Sequence, residues 1–99
     1  MSVKLIYVDD YEGRFGRMIM CHMMSDTSLE ELHEFAQRLG LKRSWFQQGS
    51  APHYDLSKTK RRKAVELGAT ELFIRGDRAA RREWQRVYRA AKNITEQGR

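Results

Sequence analysis

With one cysteine in 99 residues the chain can form no internal disulfide, and its single proline leaves regular structure largely uninterrupted. A lone cysteine suits a reducing compartment, so a cytoplasmic location is expected. No apolar run approaches the roughly 20 residues of a membrane span, and no membrane partner is expected. The first ten residues alternate and then turn acidic at Asp9-Asp10, unlike the basic region, apolar stretch and cleavage site of a signal peptide. Acidic residues are scarce in the second half. Residues 56–99 carry 13 Lys/Arg against 5 Asp/Glu, net +8, whereas residues 1–55 stand at −2. That asymmetry favours a polyanionic partner over a neutral one, set against the plainer reading of a solubilising face.

What is present suits one domain spanning residues 1–99. An apolar content of 40% with 32% charge is ordinary for a globular protein, and the length allows one small core. Residues 3–8 form a dense β-branched and aromatic run without a polar face, which predicts a strand buried on both sides. Residues 9–16 read as a loop, and the methionine-rich run at 17–24 as a second strand. Asp26-Thr27-Ser28 offers N-caps, with capping boxes to Glu30 and Glu31. Leu29, Leu32, Ala36 and Leu39 then keep helical spacing before Gly40. Asp55 or Ser57 caps a second helix ending near Leu67-Gly68, a third strand covers 70–75, and a basic amphipathic helix covers about 77–92. The expected architecture is a compact α/β domain with a core in residues 3–75: a small mostly parallel or mixed sheet of about three strands, with three helices.

The residues that could carry chemistry fall in short polar clusters. His22 follows Cys21 and precedes Asp26, His33 lies on the shoulder of the first helix, and His53-Tyr54-Asp55 follows the proline. Converging imidazoles and carboxylates can bind cations or move protons near neutral pH. His22 and His53, with Asp55, are the candidate catalytic groups, and Asp26, His33 and Tyr54 the candidate ligand-binding ones. Metal ligands are not assigned: there is no His-x-x-x-His pair, no Cys-x-x-Cys and no His-Asp doublet, and the cofactor is unknown. The plainer reading makes His53 and Asp55 a turn and a helix cap, with Tyr54 in the core. Cys21 is expected to be buried packing, because adjacent strand residues face opposite ways and His22 cannot activate it.

On the last helix Ala80, Trp84, Val87, Tyr88 and Ala91 fill one arc. Arg78, Arg81, Arg82, Arg86, Arg89 and Lys92 share the other, a candidate nucleic-acid surface.

Cys-His-Met-Met-Ser-Asp at 21–26, Glu-Leu-His-Glu-Phe-Ala at 31–36, His-Tyr-Asp at 53–55 and Ala-Val-Glu-Leu-Gly-Ala at 64–69 resemble a family of small bacterial and phage proteins catalogued as a domain of unknown function. The likeness spans roughly residues 3–75 and leaves the arginine-rich helix outside. It implies that His22, Asp26, His33, His53, Tyr54 and Asp55 belong together, and it brings no reaction with it. The leading functional expectation is a pocket protein for a small phosphorylated or nucleotide-like ligand, able to act as a phosphoester hydrolase. The alternative is a nucleic-acid or protein-binding accessory module working through the basic helix. A homodimer formed through the methionine-rich strand is compatible with both.

Overall fold

The computed structural model describes residues 5–49 and 51–97, so positions 3 and 4 of the first expected strand and Ser50 lie outside the described residues. In chain order the elements are β1 (Ile6–Asp9), β2 (Gly13–Phe15), β3 (Met18–Ser25), α1 (Leu29–Arg38), a 3-10 turn (Arg43–Trp45), β4 (Tyr54–Ser57), α2 (Lys58–Glu66), β5 (Thr70–Leu72) and α3 (Arg78–Gln97). The α/β class and the three helices match expectation, and the sheet is mixed. Among the described residues it has five strands instead of about three.

The two additional strands are short segments that pair with β3, β2 through a tight hairpin and β4 across a long stretch of chain. β2 forms because Gly13, Arg14 and Phe15 fold back on Met20, Ile19 and Met18, around the Gly16-Arg17 turn in which Gly16 takes a φ of +61°. β4 alternates buried Tyr54 and Leu56 with half-exposed Asp55 and Ser57, a period of two too brief to read in sequence.

β3 organises the sheet. Met20 pairs with both Gly13 of β2 and Ser57 of β4, and Met23 with both Val8 of β1 and Tyr54 of β4. β1 and β2 therefore follow one another along one edge of β3, and β4 occupies the other. β5 runs parallel to β1 on its far side.

Strand alternation divides the core into two layers. Ile6, Val8, Cys21, Met23, Tyr54 and Leu56 face α1 and α2, meeting Leu32, Phe35, Ala36, Leu39 and Ala64. Tyr7, Met24 and Leu72 face α3, meeting Val87 and Ala91 together with Ala51 of the loop before β4. α1 starts at Ser28, whose hydroxyl accepts from the Glu31 N–H, and α2 at Ser57, whose hydroxyl accepts from Lys60 N–H. α3 starts after Asp77, whose carboxylate accepts from the N–H groups of Ala79 and Ala80. Among the described residues, no helix is long and apolar enough to cross a membrane.

Leu32 is completely buried at the centre of the larger layer. Leu32→Ala should lower unfolding free energy by about 2–5 kcal/mol in urea titrations. Ser57→Ala, which removes only the α2 cap, should cost about 1 kcal/mol.

Candidate functional site

The site begins where β1 stops. Between the pairs Val8–Met23 and Gly13–Met20 the edge of β3 has no backbone partner, because the chain bows out through residues 9–12. Asp9 fills the gap from a fully buried position. Its Oδ1 accepts from the backbone N–H of His22 at 2.8 Å and of Tyr11 at 3.3 Å, and its Oδ2 accepts from His22 Nδ1 at 2.8 Å. The Tyr11 ring stacks on the imidazole at 5.0 Å between centroids. The hydrogen bond to Asp9 raises the His22 pKa above its ordinary value, against a smaller opposing effect of burial.

β4 supplies the rest of the cluster. Asp55 lies opposite His22 in the β3–β4 register, and because the His22 N–H points to Asp9 on the other edge, the two form a non-hydrogen-bonded pair with close side chains. His53 meets His22 edge to face at 5.4 Å between centroids. The turn through Pro52 lets His53 Nδ1 donate to the Ala51 carbonyl at 2.9 Å, and its Nε2 sits 3.4 Å from Asp55 Oδ1. The other Asp55 oxygen accepts from Gln47 Nε2 at 2.8 Å. One donor atom each from His22, His53 and Asp55 lie within 4.8 Å of one another.

The other expected site residues are placed elsewhere. Tyr54 and Asp55 are neighbours on a strand and face opposite layers, so Tyr54 is 1% exposed in the α1/α2 core. There its hydroxyl bonds His33 Nδ1 at 2.8 Å, and Phe46 packs on both rings. Burial, reinforced by Arg43, lowers the His33 pKa. Asp26 accepts from the Tyr7 hydroxyl at 3.0 Å and from Arg86 of α3 at 3.2 Å, which ties the helix to the sheet.

Of the basic arc, Arg86 is thus turned to Asp26, Tyr7 and Glu83, and Arg81 donates to the Ile74 carbonyl. Arg78, Arg82, Arg89 and Lys92 are exposed. Cys21 is buried, and desolvation pushes its thiol up to about 12, which leaves it without nucleophilic character at neutral pH.

Sequence reasoning does not reach Asp9, Tyr11 or Gln47. The signal for Asp9 is slight: a carboxylate that ends the run Ile6-Tyr7-Val8, with its own alternation matching that of Tyr7. Gln47 has none, since the Gln47–His53 bridge that holds it beside Asp55 depends on a loop closing on itself.

Over residues 6–86 the sequence matches the family described as Protein of unknown function (DUF4031). The chain belongs to the DUF4031 family. Neither the curated proteins nor the solved structures yield a match. The DUF4031 match runs past residue 75 to Arg86 itself, so it includes the first half of α3 and the residue that joins this helix to Asp26. All of His22, His53, Asp55, Asp9 and Gln47 fall inside the DUF4031 span.

Two outcomes follow from this placement. Asp9→Ala leaves two backbone donors and the His22 ring N–H without their acceptor, and should destabilise the fold by about 1–3 kcal/mol in urea titrations. His33 has its folded pKa below the ordinary 6.5, so on acidification the unfolded chain takes up this proton first. Its contribution is intact above that value and is lost as pH falls through the folded pKa. His22, with a raised pKa, acts in the opposite sense, with its contribution full below 6.5 and lost as pH rises. The stability of wild type relative to His33→Gln should therefore shrink on going from about pH 7.5 to about pH 5.5. A constant difference would show that His33 titrates alike in both states.

Proposed function

We propose that this protein binds a small phosphorylated or nucleotide-like ligand at the His22–His53–Asp55 cluster and hydrolyses a phosphoester bond there. The observation that carries the reading is the position of Asp55. It belongs to the cluster and also forms part of the wall of a groove of about 520 Å³ lined by Phe15, Met18, Met20, Trp45 and Lys60. α3 covers the Tyr7–Met24 end of its sheet face and leaves the Met18–Met20 end open, so Phe15 is 74% exposed and Met18 and Trp45 about half exposed.

A planar heterocycle laid on Trp45 and Phe15 gains stacking and apolar contact, and Gln47 offers an amide to its edge. Lys60 supplies positive charge beside the groove. A phosphoryl group reaching past Asp55 arrives at His53 and His22, where imidazoles can exchange protons with it. A cytoplasmic setting accords with the single buried thiol. The accessory-module reading draws on the exposed cations of α3, Arg82 and Arg89 among them, a surface separate from this cluster.

The test is a panel of nucleoside monophosphates, cyclic nucleotides and inorganic phosphate, followed by ligand-observed NMR and phosphate release. His53→Ala and Asp55→Ala should each weaken binding at least tenfold, with Arg82→Glu/Arg89→Glu binding as wild type. The reverse pattern, with steep salt dependence toward oligonucleotides, would replace this function with the accessory module.

A further inference from the structure

The two histidines of the cluster have their tautomers set by their neighbours. The Ala51 carbonyl can only accept, so His53 Nδ1 carries the proton and Nε2 presents a lone pair. The buried Asp9 carboxylate likewise holds the proton on His22 Nδ1, leaving Nε2 as the free nitrogen. Gln47 occupies one oxygen of Asp55, and the other faces His53 Nε2 at 3.4 Å.

Two acceptors thus face each other across that gap, an arrangement that calls for a cation between them. A shared proton would draw an imidazolium and a carboxylate to about 2.7–2.9 Å. Ligands on one ion at about 2.0–2.1 Å, in tetrahedral arrangement, stand about 3.3 Å apart, close to the 3.4 Å between His53 Nε2 and Asp55 Oδ1.

We propose that His22 Nε2, His53 Nε2 and Asp55 Oδ1 hold a divalent first-row transition ion of the zinc, cobalt or iron(II) class. Two observations support it independently of any ligand. Donor atoms from all three side chains already lie within 4.8 Å of one another, so binding needs only small side-chain adjustments. Each donor has an outer partner that orients it: Asp9 for His22, the Ala51 carbonyl for His53 and Gln47 for Asp55. Such partners are the usual support of a metal site, and a carboxylate behind a ligating histidine is among the commonest.

The donor set selects the class of ion as well. Two imidazoles and one carboxylate suit borderline ions, whereas magnesium and calcium prefer all-oxygen shells. Three protein ligands leave coordination open for water or substrate. With respect to substrate the inference rests on the function proposed above: the open position adjoins the groove through Asp55, so a phosphoryl oxygen of the bound ligand would complete the shell. When bound, the ion would polarise the phosphoryl group and lower the pKa of a coordinated water. Asp9 is then a positioning residue that acts through His22.

The experiment uses the full chain stripped with a chelator and titrated with zinc or cobalt chloride alone, by calorimetry and by the visible bands of bound cobalt. One ion per chain is expected, with cobalt bands of a low-coordinate site and no comparable heat from magnesium. His53→Ala and Asp55→Ala, both at partly exposed positions, should weaken zinc at least tenfold while keeping the wild-type urea midpoint in the absence of metal. Asp9→Asn should weaken zinc about 10–100-fold, the range for outer-shell partners.

Zinc binding that is equally tight in His53→Ala and Asp55→Ala, or absent from the folded wild type, would overturn the site. The two proposals can fail separately. Stoichiometric zinc without any phosphorylated ligand binding removes the function and keeps the metal site. Phosphoester turnover by a folded wild type that takes up neither zinc nor cobalt removes the metal site and keeps the function.

Discussion

The arrangement depends on one buried carboxylate. Asp9 sits at the point where β1 leaves the edge of β3, and a backbone donor there would otherwise have no partner. A buried N–H without an acceptor is costly, and Asp9 removes that cost while taking the His22 ring proton with its second oxygen. The same side chain therefore completes the sheet and fixes the His22 imidazole. Arg61 of α2 reinforces the spot from the opposite layer, donating to the Asp9 carbonyl and to Glu71. A break in strand pairing is where an edge can present a side chain instead of a ladder, and here that side chain orients a histidine.

The pleat then decides which histidines meet. Tyr54 and Asp55 are adjacent in sequence and belong to different halves of the protein. Tyr54, buried in the α1/α2 core, bonds the half-buried His33 at its edge, and Asp55 joins His22 and His53 on the face that α3 covers in part. Asp26, on the His22 side of the chain, is drawn to the start of that cover by Tyr7 and Arg86. Six residues implied by the family resemblance to belong together are thus shared among a hydrogen bond at the α1/α2 layer, a helix anchor and a polar cluster, and the last adjoins the groove walled by Phe15 and Trp45.

Much of the fold is legible because its signals are local. Ser28, Leu29, Leu32, Ala36, Leu39 and Gly40 state one helix through capping, period and a left-handed stop, and Gly40 takes a φ of +84° as that stop requires. Ser57 and Gly68 bound α2 in the same way, with Gly68 at +115°. β2 and β4 are illegible for the opposite reason: three or four residues carry no period, and both exist because β3 offers them an edge. The candidate site was half visible. His22, His53 and Asp55 stand out by residue type, whereas Asp9, Tyr11 and Gln47 look like ordinary loop polarity until the chain closes around them.

The sequence by itself determined the α/β class, the three helices with their caps, the apolar strands at the centre and the residue types from which any chemistry would have to come. These follow from short-range periodicity and from side-chain chemistry, which need no partner. Only the tertiary structure decided that His22, His53 and Asp55 converge and that His33 and Tyr54 do not. Facing is set by strand register, and register is settled by pairing between segments some thirty residues apart, where β3 and β4 meet.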